Sequence, residues 1–290
     1  MATTSAGLAW DLGAADGDRL GRDAALAAVA RIAASVELPV TADIESGYAD
    51  TAAGVAATVR AVLDAGAVGV NIEDSLHDAH HAHHAHHAHH AHHAHDAYHA
   101  HHANDAHHAN DAHHAHDAHH AHHAHDAHHA HHANGPLRSA EAQAERIATA
   151  RAAADAEGVP LFVNARVDTY LAGVGEPGDR VALTLERAAR YLAAGADGIF
   201  VPGAVDPVTV KALVAGVDAP LNVMAWPGAP SVAEFAALGV ARISVGAGIA
   251  QAVHALVRRA AGELLTDGTY GSLAGGLDYG ELNNLFGSGR

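Results

Sequence analysis

The chain has 290 residues, 49% of them hydrophobic and 4% aromatic, enough for one large domain or two small ones. It contains no cysteine, which excludes disulfides, thiolate catalysis and cysteine-ligated metals. Its 16 basic and 33 acidic residues give a formal charge of −17, which argues against nucleic acid and anionic membranes as partners. No apolar run approaches the roughly 20 residues of a membrane span and no signal peptide is evident, so the sequence predicts a cytoplasmic protein.

Outside one abnormal segment, apolar strand-like runs alternate with alanine-rich helical patterns. The predicted strands are Pro39–Asp43, Gly69–Glu73, Leu161–Arg166, Gly198–Pro202, Leu221–Met224 and Arg242–Gly246. The predicted helices cover residues 22–35, 51–65, 139–157, 179–194, 207–215, 231–238 and 247–265. The strands read as continuous apolar runs, which is typical of a parallel sheet covered on both faces. Repeated βα units of this length predict an α/β fold of the TIM-type (β/α) barrel class.

The predicted barrel is short of strands, because a closed barrel of this type needs eight and six are clear, with Ala2–Ser5 as the end of a seventh. We therefore expect a barrel that lacks its first strand and helix, or one that is open or completed by another subunit. Residues 1–76 and 135–270 are predicted to form one discontinuous barrel domain, with a low-complexity insert in a βα loop at residues 77–134. Residues 271–290 are predicted to be a C-terminal tail, a glycine-rich linker followed by a segment that could dock as a short helix.

The predicted insert has an abnormal composition, since 29 of the 30 histidines lie between His77 and His132. It repeats His-His-Ala, and a period of three leaves no constant apolar face on an α-helix. We interpret it as a low-complexity segment, for which three hypotheses stay open. It is a repeat tolerated in an exposed loop, a segment that binds Zn²⁺, Ni²⁺ or Cu²⁺ adventitiously or for storage, or a pH-responsive lid.

Polar residues end three consecutive predicted strands. Asp43 and Glu45 follow the first strand, Glu73 ends the second and Arg166 ends the third. Carboxylates at neighbouring strand ends converge and repel one another unless a cation lies among them, and oxygen ligands select Mg²⁺ or Mn²⁺. An arginine facing them suits a substrate carboxylate or phosphonate. The alternative is a set of structural ion pairs in which Arg166 neutralises Asp43 or Glu73.

These strand ends resemble those of a known family. The segments concerned are Thr41–Tyr48, Gly69–Asp74, Asn164–Tyr170, Gly195–Pro202 and Pro220–Met224. Through them, nearly all of the chain outside the insert resembles the isocitrate lyase / phosphoenolpyruvate mutase superfamily. The resemblance implies an α/β barrel enzyme that binds Mg²⁺ or Mn²⁺ and acts on a small 2-oxo or 2-hydroxy carboxylate through an enolate-like intermediate. Cleavage of a C–C bond is the expected reaction, and a phosphonopyruvate-type mutase or hydrolase is the alternative.

The resemblance also assigns roles to individual residues. The implied metal-side residues, several of which act through water in the family, are Asp43, Glu45, Glu73 and Asp16. The implied substrate-binding residues are Thr4, Ser5, Ala6 and Gly7, in a small-residue loop, together with Tyr48, Arg166 and Asn222. Catalysis is assigned to Arg166, Asp43 and Glu73.

The chain departs from the family pattern after the Glu-Asp strand. Lyases of the superfamily carry a mobile loop with a catalytic cysteine there, whereas this chain has Ser75, Leu76 and the histidine-rich insert. We therefore do not expect isocitrate lyase or methylisocitrate lyase activity. A rival hypothesis is a non-catalytic barrel that carries a transition-metal-binding segment. The family tendency to oligomerise and the incomplete barrel together predict more than one subunit.

Overall fold

The computed structural model describes residues 1–76 and 136–287. The predicted insert at residues 77–134 lies outside the described residues, as do residue 135 and the last three residues of the predicted tail. All described residues belong to one compact unit. The division of the chain into a barrel domain, an insert and a tail stays a prediction.

Helices and strands alternate through most of the described chain. In order they are α1 (Ser5–Asp11), α2 (Arg22–Ala34), β1 (Thr41–Asp43), α3 (Ala52–Asp64), β2 (Gly69–Glu73), α4 (Ala140–Ala156), β3 (Phe162–Arg166), α5 (Arg180–Ala193), β4 (Gly198–Val201), α6 (Pro207–Gly216), β5 (Leu221–Met224), α7 (Val232–Ala237), β6 (Arg242–Ser244), α8 (Gly248–Thr266), a 3-10 turn (Gly271–Leu273) and α9 (Tyr279–Gly287). The seven predicted helices are confirmed, each within one residue at either end.

The six strands form one parallel sheet in the order β1-β2-β3-β4-β5-β6. Each strand pairs with the next one along the chain, and a helix follows every strand, as in a TIM-type (β/α) barrel. This arrangement confirms the predicted α/β barrel class. Its consequence for the site is that the carboxyl ends of all six strands lie at the same edge of the sheet.

The N-terminal segment was predicted as the end of a strand, and only its first part behaves as one. Ala2 forms an isolated parallel bridge with Thr41, and the Thr3 N–H donates to the Thr41 carbonyl at 3.0 Å. The chain then turns into α1 at Ser5, so the prediction is wrong for the last residue of Ala2–Ser5. The reason is a tertiary contact, because both the N–H and the hydroxyl of Ser5 donate to a carboxylate of β1.

The two faces of the sheet differ in chemistry. Residues of the outer face are apolar and buried under the helices, among them Ala42, Val70, Ile72, Val163, Ala165, Ile199 and Val223. The alternate positions on β2 and β3 carry Asn71 and Glu73 opposite Asn164 and Arg166. The central strands β2 and β4 are buried on both faces, as predicted, whereas β1 and β6 are partly covered. The prediction of continuous apolar runs is wrong, because the inner face of β1–β3 is largely polar.

Side-chain caps explain where several helices begin. The side chain of Thr51 accepts from the Gly54 N–H before α3, and the side chain of Ser139 accepts from Ala142 before α4. Ser231 forms a capping box with Glu234 at the start of α7. Because each of these caps lies one residue before the first helical turn, the predicted helices began one residue too early at these three places.

The C-terminal part of the described chain is the least buried. No residue of α8 or α9 is buried, and β6 is only partly covered. The large apolar side chains exposed on α8 are Ile249, Val253, Leu256, Val257, Leu264 and Leu265. The predicted short helix in the tail is observed as α9, with its residues exposed. Among the helices of the described residues, none combines the length and hydropathy that crossing a bilayer would require.

The two described stretches of chain that flank residues 77–135 lie next to each other. Ser75 and Leu137 form an antiparallel bridge, and the Leu76 N–H donates to the Pro136 carbonyl at 2.9 Å. The residues that flank the undescribed segment are therefore fixed side by side, directly after the carboxyl end of β2.

Phe235 and Val232 lie on the same helix but differ in burial, so their substitutions should differ in their effect on stability. Phe235 of α7 is fully buried, so Phe235→Ala should lower the free energy of unfolding by about 3 to 5 kcal/mol. Val232 is 70% exposed on the same helix, so Val232→Ala should change it by less than about 0.5 kcal/mol. Denaturant unfolding measures both changes, and equal losses of stability would contradict the burial of Phe235 in this structure.

Candidate active site

Asp43 ends β1 and ties the N-terminal helix to the sheet. The backbone N–H and the hydroxyl of Ser5 donate to Asp43 Oδ2 at 3.1 and 3.0 Å. The Asp43 N–H donates to the hydroxyl of Thr3 at 3.0 Å. Asp43 is thus oriented by the first turn of α1, and it lies at the edge where a ligand of the barrel would bind.

The predicted substrate loop has a different local structure. Thr4 is the extended residue before α1, whereas Ser5, Ala6 and Gly7 form the first turn of this helix, and Ala6 and Gly7 are buried. The prediction of a loop over Thr4–Gly7 is therefore wrong, since these small side chains let α1 pack closely. A Cβ added to Gly7 would lie only 2.8 Å from Thr4 Cγ2. Of the four residues, Ser5 is the one that donates its hydroxyl to Asp43.

Glu45 lies two residues after β1 in a strained turn. Its carboxylate accepts from the backbone N–H of Asp18 and from the hydroxyl of Tyr48, the latter at 3.1 Å. Burial raises the pKa of Glu45 to about 7, and the charges of Asp18, Asp16 and Asp43 add to this rise. The Asp18 N–H opposes the rise.

Backbone strain concentrates at the same place. The non-glycine residues with positive φ within residues 1–76 and 136–287 are Asp18 at 59°, Glu45 at 50° and Tyr48 at 51°. Asp18 and Tyr48 both donate hydrogen bonds to the carboxylate of Glu45, so the three residues are connected. Such strain persists only where the surrounding structure fixes it, and it is typical of functional sites.

Glu73 and Arg166 end neighbouring strands and face each other. They are register partners of β2 and β3, and their side chains form an ion pair. Arg166 Nε donates to Asp168 Oδ1 at 2.7 Å. Burial raises the pKa of Glu73 well above its usual range, although Arg166 opposes this rise. Burial alone would lower the pKa of Arg166, but Asp168, Glu73 and Asp43 raise it overall.

The acidic groups form an electrostatically coupled cluster. Asp43 raises the pKa of both Glu45 and Glu73, and Asp16 acts on Glu45 although it is exposed. In the part of the chain that the structure describes, no three His, Asp or Glu side chains lie close enough together to hold a metal ion directly. The donor set of carboxylate oxygens nevertheless suits a hard cation such as Mg²⁺, which keeps several of its waters in protein sites.

The predicted residue Asn222 lies in a buried layer beneath these carboxylates. Asn164 Nδ2 donates to Asn71 Oδ1 at 2.9 Å and to Asn222 Oδ1 at 3.1 Å. Asn222 Nδ2 in turn donates to the Val223 carbonyl at 2.7 Å. The amides bind one another, so they form a polar floor under the site. A role of Asn222 or Tyr48 in substrate binding stays a prediction.

Several buried polar residues around Arg166 were not assigned roles from the sequence. Asp168 accepts from both Arg166 and Ser75, and Asp74 accepts from Asp168, Arg187 and Tyr191. Asp74 directly follows Glu73 and Asp168 lies two residues after Arg166, so their position after the strand ends was the available signal. Arg187 and Tyr191 lie on α5 and gave no sequence signal beyond helical spacing.

The chain matches the family described as phosphoenolpyruvate phosphomutase over residues 1–112 and 121–265. Proteins of two Mycobacterium tuberculosis strains, CDC 1551 and H37Rv, are 43% identical over 110 residues, which are 36% of this chain. That match spans 41% of the length of each of these curated relatives, both named as uncharacterized.

Solved structures with this fold include two from Burkholderia cenocepacia J2315. One, provisionally named a lyase/mutase, is 31% identical with a TM-score of 0.73, covering 99% of this chain and 83% of that one. The other, provisionally named a phosphonomutase, is 33% identical with a TM-score of 0.67, covering 89% and 83%.

A phosphonopyruvate hydrolase in complex with oxalate and Mg²⁺ is 22% identical with a TM-score of 0.67, which shows the shared fold. It covers 99% of this chain and 82% of that one. The resemblance seen in the sequence motifs is confirmed by the family match, which extends over most of the chain. This chain belongs to the phosphoenolpyruvate phosphomutase family.

Proposed function

We propose that the protein is a Mg²⁺-dependent carbon–carbon lyase that acts on a small 2-oxo or 2-hydroxy carboxylate through an enolate-like intermediate. The observation that carries the proposal is the convergence of Asp43, Glu45 and Glu73 with Arg166 at the carboxyl edge of β1–β3. This edge is where barrels of this type place their chemistry. The chain's membership of the family supports the same assignment.

Mg²⁺ or Mn²⁺ would be held partly through its bound waters by Asp43, Glu45 and Glu73, with Asp16 as a further contributor, because no three carboxylates of the described residues are close enough to bind it directly. A bound Mg²⁺ would act as a Lewis acid toward the substrate carbonyl and stabilise the negative charge of an enolate. The protein prepares this site by burying carboxylates beside one another at a cost, because burial, and to a smaller extent the neighbouring negative charges, raises the pKa of Glu45 and of Glu73. A divalent cation would remove that cost.

Arg166 would orient the substrate carboxylate. Its guanidinium is only 16% exposed and is bound on two sides by Glu73 and Asp168. With both partners and Asp43 ionised, the surroundings of Arg166 carry net negative charge, which repels a carboxylate. We therefore expect the substrate to bind well only after the cation.

The nature of the bond that breaks distinguishes the main proposal from its alternative. The names of the phosphonomutase and of the phosphonopyruvate hydrolase among the similar structures favour testing P–C substrates as well as C–C substrates. A panel of oxaloacetate, alkylmalates and phosphonopyruvate, assayed for release of pyruvate or oxalate and for formation of phosphoenolpyruvate, separates the two. We expect no turnover of isocitrate or methylisocitrate, because the chain has no cysteine.

The second candidate function is transition-metal binding by the histidine-rich segment. The observation that favours it is the concentration of 29 histidines between His77 and His132. Neutral imidazole is a favoured ligand of Zn²⁺, Ni²⁺ and Cu²⁺. The barrel would then serve as a carrier, and its carboxylate site would not be needed for metal uptake.

We also propose that the protein is an oligomer located in the cytoplasm. Support for association comes from the apolar side chains exposed on α8 and α9, which include Leu265, Phe286 and Leu285. Large exposed apolar surfaces are typical of subunit interfaces. Sedimentation of the intact protein gives the number of subunits.

Loss of Asp43 should abolish the response to Mg²⁺ and oxalate. In the unaltered protein, oxalate at 100 times its dissociation constant in the presence of Mg²⁺ should add about 2.7 kcal/mol of stability. Asp43→Asn should remove this gain, whereas Asp64→Asn, at the exposed C-terminal end of α3, should retain it. Thermal unfolding measures both, and a retained gain in Asp43→Asn would contradict the proposed metal site.

The raised pKa of Glu45 predicts a pH-dependent stability difference. The unfolded chain releases this proton near pH 4.5, but the folded metal-free protein holds it until about pH 7. The ionisation of Glu45 therefore lowers the free energy of unfolding as the pH rises through this window, by about 3 kcal/mol at most. Glu45→Gln cannot ionise and should escape this loss.

The measurement compares Glu45→Gln with the unaltered protein in EDTA between pH 4.5 and 8. Both proteins contain the same histidines, so their titration cancels in the comparison. The variant should gain stability relative to the unaltered protein as the pH rises. A difference that stays constant over this range would show that Glu45 is ionised normally in the folded state.

Replacement of residues 77–135 by a short Gly/Ser linker separates the two candidate functions. Because Ser75 and Leu137 are already bridged, the linker only has to connect adjacent chain ends. The shortened protein should keep its Mg²⁺-dependent response to oxalate and lose nearly all binding of Ni²⁺ in calorimetry. Loss of the oxalate response with the fold intact would mean that the replaced segment contributes to the barrel site.

A further inference from the structure

Asp168 links the guanidinium of Arg166 to the point where the chain leaves β2. Its side chain is fully buried, and Arg166 Nε donates to its Oδ1 at 2.7 Å. The hydroxyl of Ser75 donates to its other oxygen, Oδ2. Ser75 itself is fully buried and bridged to Leu137. The Asp168 carboxylate is therefore held from both sides.

Asp74 fixes the backbone of Asp168. The Asp168 N–H donates to Asp74 Oδ1 at 2.9 Å. Asp74 Oδ2 accepts from the hydroxyl of Tyr191 at 2.8 Å and from Arg187 Nη1 at 3.0 Å. Because Tyr191 and Arg187 both lie on α5, this buried network fastens the ends of β2 and β3 to the same helix.

The return of the chain after residue 135 is fastened to the same network. The Arg138 N–H donates to the Asp74 carbonyl at 2.8 Å, and Arg187 donates to the Arg138 carbonyl at 2.9 Å. Asp74 thus holds three separate stretches of chain through its side chain and backbone. A carboxylate with this many partners in a buried place has one rotamer, so the position of Asp168 is set as well.

We propose that Asp168 is a positioning residue for Arg166, and that Ser75 and Asp74 set the position of Asp168. The inference rests on the proposed function, in which Arg166 binds the substrate carboxylate. The bonds to Asp168 and Glu73 use Nε and Nη1, and they hold the guanidinium so that Nη2 is left for a ligand. A guanidinium fixed by two bonded partners binds a carboxylate with less loss of side-chain freedom.

Without Asp168 the guanidinium would have Glu73 as its strong partner. Arg166 and Glu73 could then form a two-bond ion pair, because an arginine fork matches a carboxylate in this way. Such a pair would use donors that the ligand needs. The affinity for the ligand should therefore fall, even when Mg²⁺ is saturating.

The test measures oxalate binding by calorimetry in saturating Mg²⁺ with the full chain. Asp168→Ala should weaken oxalate at least about tenfold, the scale of one lost charge-assisted hydrogen bond. Asp168→Asn keeps an acceptor for Arg166 Nε and should recover part of that loss. Ser75→Ala removes one of the two supports and should weaken oxalate by a smaller factor. In a turnover assay, the same variants should raise KM more than they lower kcat.

The matched control is Thr184→Val. Thr184 is fully buried and bonded to Thr169, the residue after Asp168, but it does not contact Arg166. The Thr184→Val variant should be less stable than the unaltered protein and should keep the same affinity for oxalate. A loss of affinity in this control equal to that of Asp168→Ala would mean that general destabilisation explains the effect, and would overturn the inference.

The remaining outcomes separate this inference from the proposed function. If the unaltered protein binds oxalate and Asp168→Ala binds it equally well, the positioning role is wrong and the proposed function stands. If the unaltered protein does not bind oxalate in Mg²⁺, the proposed function is wrong and the inference falls with it. Slow exchange of the Arg166 Nε–H in nitrogen-15 spectra, lost in Asp168→Ala, checks the bond independently, and fast exchange in the unaltered protein would overturn the inference.

Discussion

The arrangement of the site depends on one guanidinium that is shared between two strands. Arg166 on β3 binds Glu73 on β2 and Asp168 after its own strand. A single positive charge placed between two buried carboxylates cannot neutralise both, and Asp43 adds to the excess. The edge of the barrel therefore holds more carboxylates than cations, which is the basis for the proposal that a cation binds there first and an anionic ligand second.

The excess charge costs stability that the rest of the fold must supply. Glu45 is buried among like charges, and it and two residues bonded to it, Asp18 and Tyr48, have positive φ and carry backbone strain. The apolar outer face of the sheet offsets this cost, since its side chains are almost fully buried under the helices. The inner face contributes through amides that bind one another, so that the polar floor of Asn71, Asn164 and Asn222 leaves few unpaired groups.

The sequence was sufficient for the parts of the fold that depend on local pattern. The alternation of apolar runs with alanine-rich helical patterns was enough to place the helices and the parallel sheet, and both are confirmed. The meeting of Glu73 with Arg166 could also be predicted, because both end neighbouring strands of a parallel sheet. Family membership adds independent support, and the roles of these residues stay predictions.

The parts that could not be predicted depend on contacts between distant residues. Ser5 begins a helix because it donates to Asp43, which is 38 positions away, and no local signal announces that contact. The network of Asp74 with Arg187 involves a separation of 113 positions. The alternation of polar and apolar residues on β2 was present in the sequence, but it becomes informative only when the register with β3 shows which residues share the inner face.

The same network explains how the barrel tolerates a long segment at its functional edge. The free energy of closing a loop rises only slowly with its length, so the main requirement is that the two chain ends be held together. The Ser75–Leu137 bridge and the bonds of Asp74 to Arg138 satisfy that requirement without any contribution from the segment itself. The side chains of Ser75 and Asp74 also bind Asp168. The residues that close the loop are therefore the same residues that position Arg166. A change in composition or length of the segment can therefore be neutral for the site, provided that its two ends stay paired.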